Sequence, residues 1–216
     1  MEVIDLTHEI KESMPCFGAK WHCKANIEQM GKIIEVGRNT KKLSFGSHCG
    51  THIDSPNHFI ENGKTIDKIA LETLVGDVQI FDFSGLRENE TVDAVSLEGK
   101  IRYKKVIFYF NWAKHFKDER FYKNYPFFSD DAARYLINQG VKLIGMDTPS
   151  PDDSRIKPGS SEDSKIHKMF LENEVILMEY LNIPRLKSFN GWKLIAMPLK
   201  IKDCDGSPAR ICIYKD

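Results

Sequence analysis

Ser129-Asp130-Asp131-Ala132-Ala133-Arg134-Tyr135-Leu136-Ile137-Asn138-Gln139-Gly140, running straight into Val141-Lys142-Leu143-Ile144-Gly145-Met146, decides the fold. Serine caps a helix start, two aspartates suit its positive end, and a glycine ends it. Ala132, Ala133, Tyr135 and Leu136 supply the helical pattern. The run after Gly140 is apolar and rich in branched side chains, which predicts a strand. Lys105 to Phe110 upstream is another such run, so the order is strand, helix, strand, the rhythm of an α/β unit.

Working outward, Val75 to Phe83, Lys193 to Leu199 and Ala209 to Tyr214 also predict strands. A second helix starts at Asp163-Ser164 and carries Ile166, Met169 and Phe170 on one face. Many strands and few helices predict a strand-rich α/β fold rather than a pure Rossmann fold. No repeat or linker interrupts it, so residues 1–216 are expected to form one domain. Ser150 to Asp163 predicts a surface loop. The segment from Asn111 to Phe128 is too aromatic for a free loop and is expected to cover a pocket or a second subunit.

The 216 residues balance 31 basic against 31 acidic side chains. Nucleic-acid binders show a basic excess, so nucleic acid is not an expected partner. No apolar run reaches the roughly 18 residues of a membrane helix, and the first residues lack the features of a secretory signal. A cytoplasmic protein is expected. Cys16, Cys23, Cys49, Cys204 and Cys212 form no Cys-x-x-Cys pair and read as free thiols, with Cys49 packing as a small apolar residue.

The chemistry is concentrated in His48-Cys49-Gly50-Thr51-His52-Ile53-Asp54-Ser55-Pro56-Asn57-His58. Eleven residues hold three of the chain's seven histidines and an aspartate, the ligand types of zinc and other first-row metals. Positions 48, 52, 54 and 58 share one face of an extended strand. A straight strand would separate 48 from 58 by about 33 Å, so the chain must bend, and Gly50 and Pro56 stand where bends are needed. Further ligands must come from elsewhere. His8 and His115 read as surface groups; His167 lies on the second predicted helix. Glu179 is the one charge in Val175–Leu181, a costly place for a carboxylate unless it is paired, bound to metal or on a wet strand face.

The window resembles the cyclase, or kynurenine formamidase, family of metal-dependent hydrolases, whose signature is H-x-G-T-H-x-D-x-P-x-H. Ile4–Thr7, Met14–Phe17, Gly145–Ser150, His167 with Glu179, Ala196–Lys200 and Gly206–Arg210 extend the resemblance in order along the chain. Gly18-Ala19-Lys20 and Phe110-Asn111-Trp112 depart from it on the family's substrate side. The resemblance implies a swivelling β/β/α fold, a homodimer or higher homo-oligomer, and two divalent ions, zinc or else manganese. His48, His52 and Asp54 would hold the first ion and His167 the second, with Asp54 and Glu179 reaching both. His58 would be the general acid/base. Should its loss leave activity unchanged, bulk water or Asp147 would move the proton. Phe17, Trp21 and Trp112 would line the substrate pocket. The implied activity is hydrolysis of a small-molecule amide such as N-formyl-kynurenine, or ring opening of an isatin-like cyclic amide.

Two rival readings use the same residues. A non-haem iron oxygenase would take His52, Asp54 and one distant histidine as a facial triad, which leaves His48 and Glu179 without roles. A non-catalytic metal-binding module would have no use for His58. No Gly-x-Ser-x-Gly elbow is present to support a serine hydrolase.

Overall fold

The computed structural model describes residues 1–20 and 22–215. Its centre is one large sheet of eight strands: β1 (Glu2–Asp5), β2 (His52–Asp54), β3 (Val75–Asp82), β4 (Lys105–Tyr109), β5 (Leu143–Met146), β6 (Ile176–Glu179), β7 (Trp192–Pro198) and β8 (Gly206–Lys215). Their order is β1-β8-β7-β3-β4-β5-β6-β2. The short β2 also pairs with β8, so seven strands close into a barrel-like ring and β1 continues along the free part of the β8 edge. The run from β3 to β6 is parallel and the other pairs are antiparallel.

The strand-rich α/β expectation holds. The apolar faces fill two cores. Ile53, Ile107, Met178, Leu194 and Ile213 meet within one, and Phe108, Phe128, Leu136, Phe170 and Leu177 in the other. The second core is covered by helices α1 (Asp130–Asn138) and α2 (Lys165–Glu172). The Ser129 hydroxyl accepts from the Ala132 N–H, and Gly140 ends α1 at φ +74°, as its sequence predicts. Helix α2 starts differently. Ser164 is left-handed at φ 53° and makes no side-chain cap. The Asp152 carboxylate from the preceding loop caps it, accepting the Ile166 N–H at 2.6 Å.

The aromatic segment after Asn111 turns mostly inward. Trp112, Phe116, Phe121 and Phe128 are core residues. All five cysteines are free, and Cys49 is buried against Met14. A hairpin, Asn26–Gly31 with Thr40–Ser44, pairs only with itself. Among the described residues no helix is long and apolar enough to cross a membrane.

Candidate metal centre

Strand β2 is the hinge of the site. His52 sits opposite Glu179 in the β2–β6 ladder, and Asp54 opposite Leu177. Alternation along the strand puts His52, Asp54 and Glu179 on one face. Gly50, at φ +64°, bends the chain ahead of β2 and brings His48 back over it. Pro56 opens a turn of 3-10 helix that ends on His58. Gly206 of β8 leaves room for this return, because a Cβ there would come within 2.9 Å of the His48 ring. His167, on the first turn of α2, closes the group from the other side.

Three imidazoles are each tied at one nitrogen and turned inward at the other. His52 Nδ1 faces the Gly50 carbonyl at 2.7 Å, His167 Nδ1 the Asp152 carboxylate, and His48 Nε2 Asp205 Oδ2 at 2.7 Å. The free nitrogens converge on two buried carboxylates. His48 Nδ1 is 2.7 Å and His52 Nε2 3.2 Å from Asp54 Oδ1. His167 Nε2 is 3.0 Å from Glu179 Oε1 and 3.7 Å from Asp54 Oδ2. Glu179 Oε2 reaches back to within 3.6 Å of His52 Nε2.

Asp54 Oδ2 and Glu179 Oε1 are fully buried and accept no well-formed hydrogen bond. Bare carboxylate oxygens inside a protein are costly unless a cation or donor meets them. Ligand atoms of His48, Asp54 and His58 lie within 4.8 Å of one another, and so do those of His52, Asp54 and Glu179. A donor set of imidazole and carboxylate, oriented from behind by Gly50, Asp152 and Asp205, fits a first-row divalent ion.

The proton affinities follow the same charges. Burial opposes charge on His48, but Asp54 and Asp205 outweigh it and raise its pKa to about 10. Burial also opposes charge on His167, and Glu179, Asp152 and Asp54 outweigh it and raise its pKa well above the usual value. Glu179 is pushed up by burial and by Asp54. Asp54 is driven down by His48 and His52 against its own burial. The pull that holds protons on His48 and His167 is the pull a divalent cation satisfies. His58 is less enclosed; burial is the main cause of its lowered pKa. Its Nδ1 is 3.3 Å from Asp205 Oδ2.

This cluster floors a cavity of about 560 Å³ lined also by Phe17, Phe59, Tyr122, Tyr125, Tyr180 and the loop from Pro149 to Ser164. The loop predicted as plain surface is therefore one wall. Phe17 stands on the cavity wall. Trp21 lies outside the described residues. Trp112 is a correction: its indole is 5% exposed, donates to the Phe121 carbonyl at 3.0 Å and is not part of the cavity wall. Asp147 is a second correction. It is fully buried and accepts the N–H groups of Phe110 and Trp112, each at 2.8 Å, so it shapes the 110–113 turn and is not on the cavity wall. Burial raises its pKa to about 6 against those donors. His8 is a third, since it is largely covered and stacks on Phe116 at 3.7 Å. His115, also expected at the surface, is half-buried beside Trp112. Asp152 and Asp205 were not singled out in the sequence.

A family model described as putative cyclase matches residues 4–153. The chain belongs to the cyclase family. A kynurenine formamidase of Bacillus cereus is 31% identical over 188 residues, covering 86% of this chain and 82% of its own. Among cyclase-like solved structures, an isatin hydrolase bound to the product analogue thioisatinate superposes with a TM-score of 0.88 at 23% identity, covering 100% of this chain and 93% of its own. A structure described as a predicted metal-dependent hydrolase from Bacillus stearothermophilus has a TM-score of 0.79 at 25% identity, over 100% and 98% of the two chains.

Proposed function

We propose that this cyclase-family chain is a metal-dependent hydrolase that cleaves a carbon–nitrogen bond in an aryl formamide or a cyclic aryl amide. The observation that carries the reading is the convergence of His48, His52 and His167 on Asp54 and Glu179, with each ring tied at its other nitrogen. His48, His52 and Asp54 would hold one ion, and His167 a second, with Asp54 and Glu179 shared between them. Zinc or manganese suits this mixture of imidazole and carboxylate. When bound, such ions lower the pKa of water from about 15.7 to about 7 and polarise a carbonyl.

The chain's own residues do the rest. Asp152 and Asp205 fix the rings of His167 and His48 and keep their inner nitrogens pointed at the carboxylates. Attack of water on the amide carbonyl leaves a proton to be moved to the departing nitrogen. His58 carries it: burial keeps its pKa low, so at neutral pH the ring is free to accept a proton. Phe17, Phe59 and Tyr122 on the cavity wall offer apolar contact to an aryl ring.

The kynurenine formamidase relatives support the formamide reading, and isatin hydrolase is a structural neighbour with a cyclic substrate. N-formyl-kynurenine is the first substrate to try. A homodimer belongs to the same reading, and the five free thiols support a reducing, cytoplasmic setting. The test is formate or ring-opened acid release from formanilides and cyclic aryl amides by metal-loaded protein. Turnover that stops on chelation supports the reading; no turnover with zinc or manganese present removes it.

A further inference from the structure

Five histidines stand on the cavity wall: His22, His48, His52, His58 and His167. The proposed chemistry uses all of them except His22. This residue follows Gly18-Ala19-Lys20, the stretch in which the chain departs from the family's sequence. Its backbone N–H donates to the Ala19 carbonyl at 3.1 Å, and its side chain is half-buried.

The His22 ring differs from the other four in having no tie. His48, His52 and His167 are each held from behind at one nitrogen, and His58 faces Asp205. His22 makes no side-chain hydrogen bond or ion pair among the described residues. It also stands outside both groups of ligand atoms that lie within 4.8 Å of one another. Nor does it support a ligand from behind, since both nitrogens of His48 are already met by Asp54 and Asp205. An imidazole always carries at least one N–H donor. Here that donor sits on a cavity wall with nothing of the chain's own to bond.

The placement gives the donor a use. The His22 ring packs edge-on to Phe17, at 5.4 Å between centroids, and edge-on to His48 at 6.3 Å. Along this part of the wall an apolar ring, a free imidazole and an ion-cluster histidine therefore follow one another. An aryl amide with its carbonyl at the cluster and its ring against Phe17 has its ortho position beside His22. A carbonyl oxygen on that position would accept the His22 N–H. A substrate without one would cover the donor and leave it unpaired, which costs affinity.

Resting on the hydrolase reading above, we propose that His22 is a specificity-determining residue. It selects an aryl amide that carries a carbonyl group ortho to the amide nitrogen, by donating its N–H to that carbonyl oxygen. N-formyl-kynurenine and isatin both carry such a carbonyl.

The ortho- and para-acetyl formanilides test this. The para isomer keeps the electronic pull of the acetyl group and takes its oxygen away from His22. Hydrolysis by metal-loaded protein is measured, together with calorimetric binding of ortho- and para-acetylaniline. Both are repeated with His22→Phe and His22→Ala, which remove the N–H, and with His22→Gln, which keeps one. The ortho-to-para ratio, in kcat/KM and in affinity, should fall about fivefold in His22→Phe and His22→Ala, the worth of one neutral hydrogen bond. It should fall less in His22→Gln. Each ratio is taken within one variant, so a general loss of folded protein cancels. A ratio that His22→Phe and His22→Ala leave unchanged overturns the proposal, as does a loss in His22→Gln as large as theirs. If no formanilide is hydrolysed while ortho-acetylaniline keeps its His22-dependent preference in binding, the hydrolase reading fails and the role of His22 in recognition stands.

Discussion

Asp152 and His167 are joined twice: one Asp152 oxygen accepts from both the ring Nδ1 and the backbone N–H of His167. The same carboxylate accepts the Ile166 N–H at the start of α2. One loop aspartate therefore starts the helix and aims the ring that the helix carries. The ring's other nitrogen is thereby left facing Glu179 at 3.0 Å.

Asp152→Asn should weaken divalent-ion binding by about 10- to 100-fold, the usual effect of losing a partner behind a ligand. Asp152→Ala should in addition lower stability by about 1 kcal/mol through the lost cap. Ion titration and thermal denaturation separate the two effects. Unchanged ion affinity in Asp152→Asn would show that the ring needs no such support.

His58→Ala should retain its bound metal and its fold while kcat falls by about 10²- to 10⁴-fold. The deficit should shrink for anilides with good leaving groups, which need less proton donation. His58 sits close enough to His48 and Asp54 to be a ligand, so metal content is the deciding readout. A variant that loses metal makes His58 a ligand.

The clustering of His48, His52, Asp54 and His58 was legible because these residues are neighbours in sequence and the bends between them are marked by Gly50 and Pro56. Glu179 was legible as a misplaced charge in an apolar run. Asp152 and Asp205 were not, since each is one aspartate in a polar loop, tied to its histidine 15 or 157 residues away. Closure of the ring through β2 and β8 rests on a pairing of three residues per strand, too short to leave a pattern. Trp112 misled because a tryptophan in an aromatic loop looks the same whether it faces a pocket or the core. His8 misled because Phe116, which covers it, is 108 positions away.

His8 makes acid stability testable. Burial, with Lys11 adding to it, lowers its pKa from 6.5 to about 4. The folded value lies below the unfolded one, so unfolded chain takes up the proton first. The stabilising contribution is complete above pH 6.5 and is lost as pH falls toward 4. His8→Phe keeps a ring against Phe116 and removes a buried nitrogen that has no partner. Urea midpoints at pH 7.5 and pH 5 should differ less in the variant than in wild type. An equal difference would mean that His8 does not set the acid limb.

Asp147→Asn should cost about 1–3 kcal/mol. An amide offers one oxygen where the carboxylate uses two, and its NH₂ would face the N–H groups of Trp112 and Ala113. Chemical denaturation measures the loss. A neutral substitution would mean that the 110–113 turn does not depend on this carboxylate.

The proposed hydrolysis requires that the cluster of His48, His52, Asp54, His167 and Glu179 work through divalent ions. The direct measurement is a zinc or manganese titration of chelator-stripped protein, with formanilide hydrolysis followed at each step. Activity should be absent at the start and should rise to a plateau at about two ions per chain. Full hydrolysis by the stripped, ion-free protein would contradict the account.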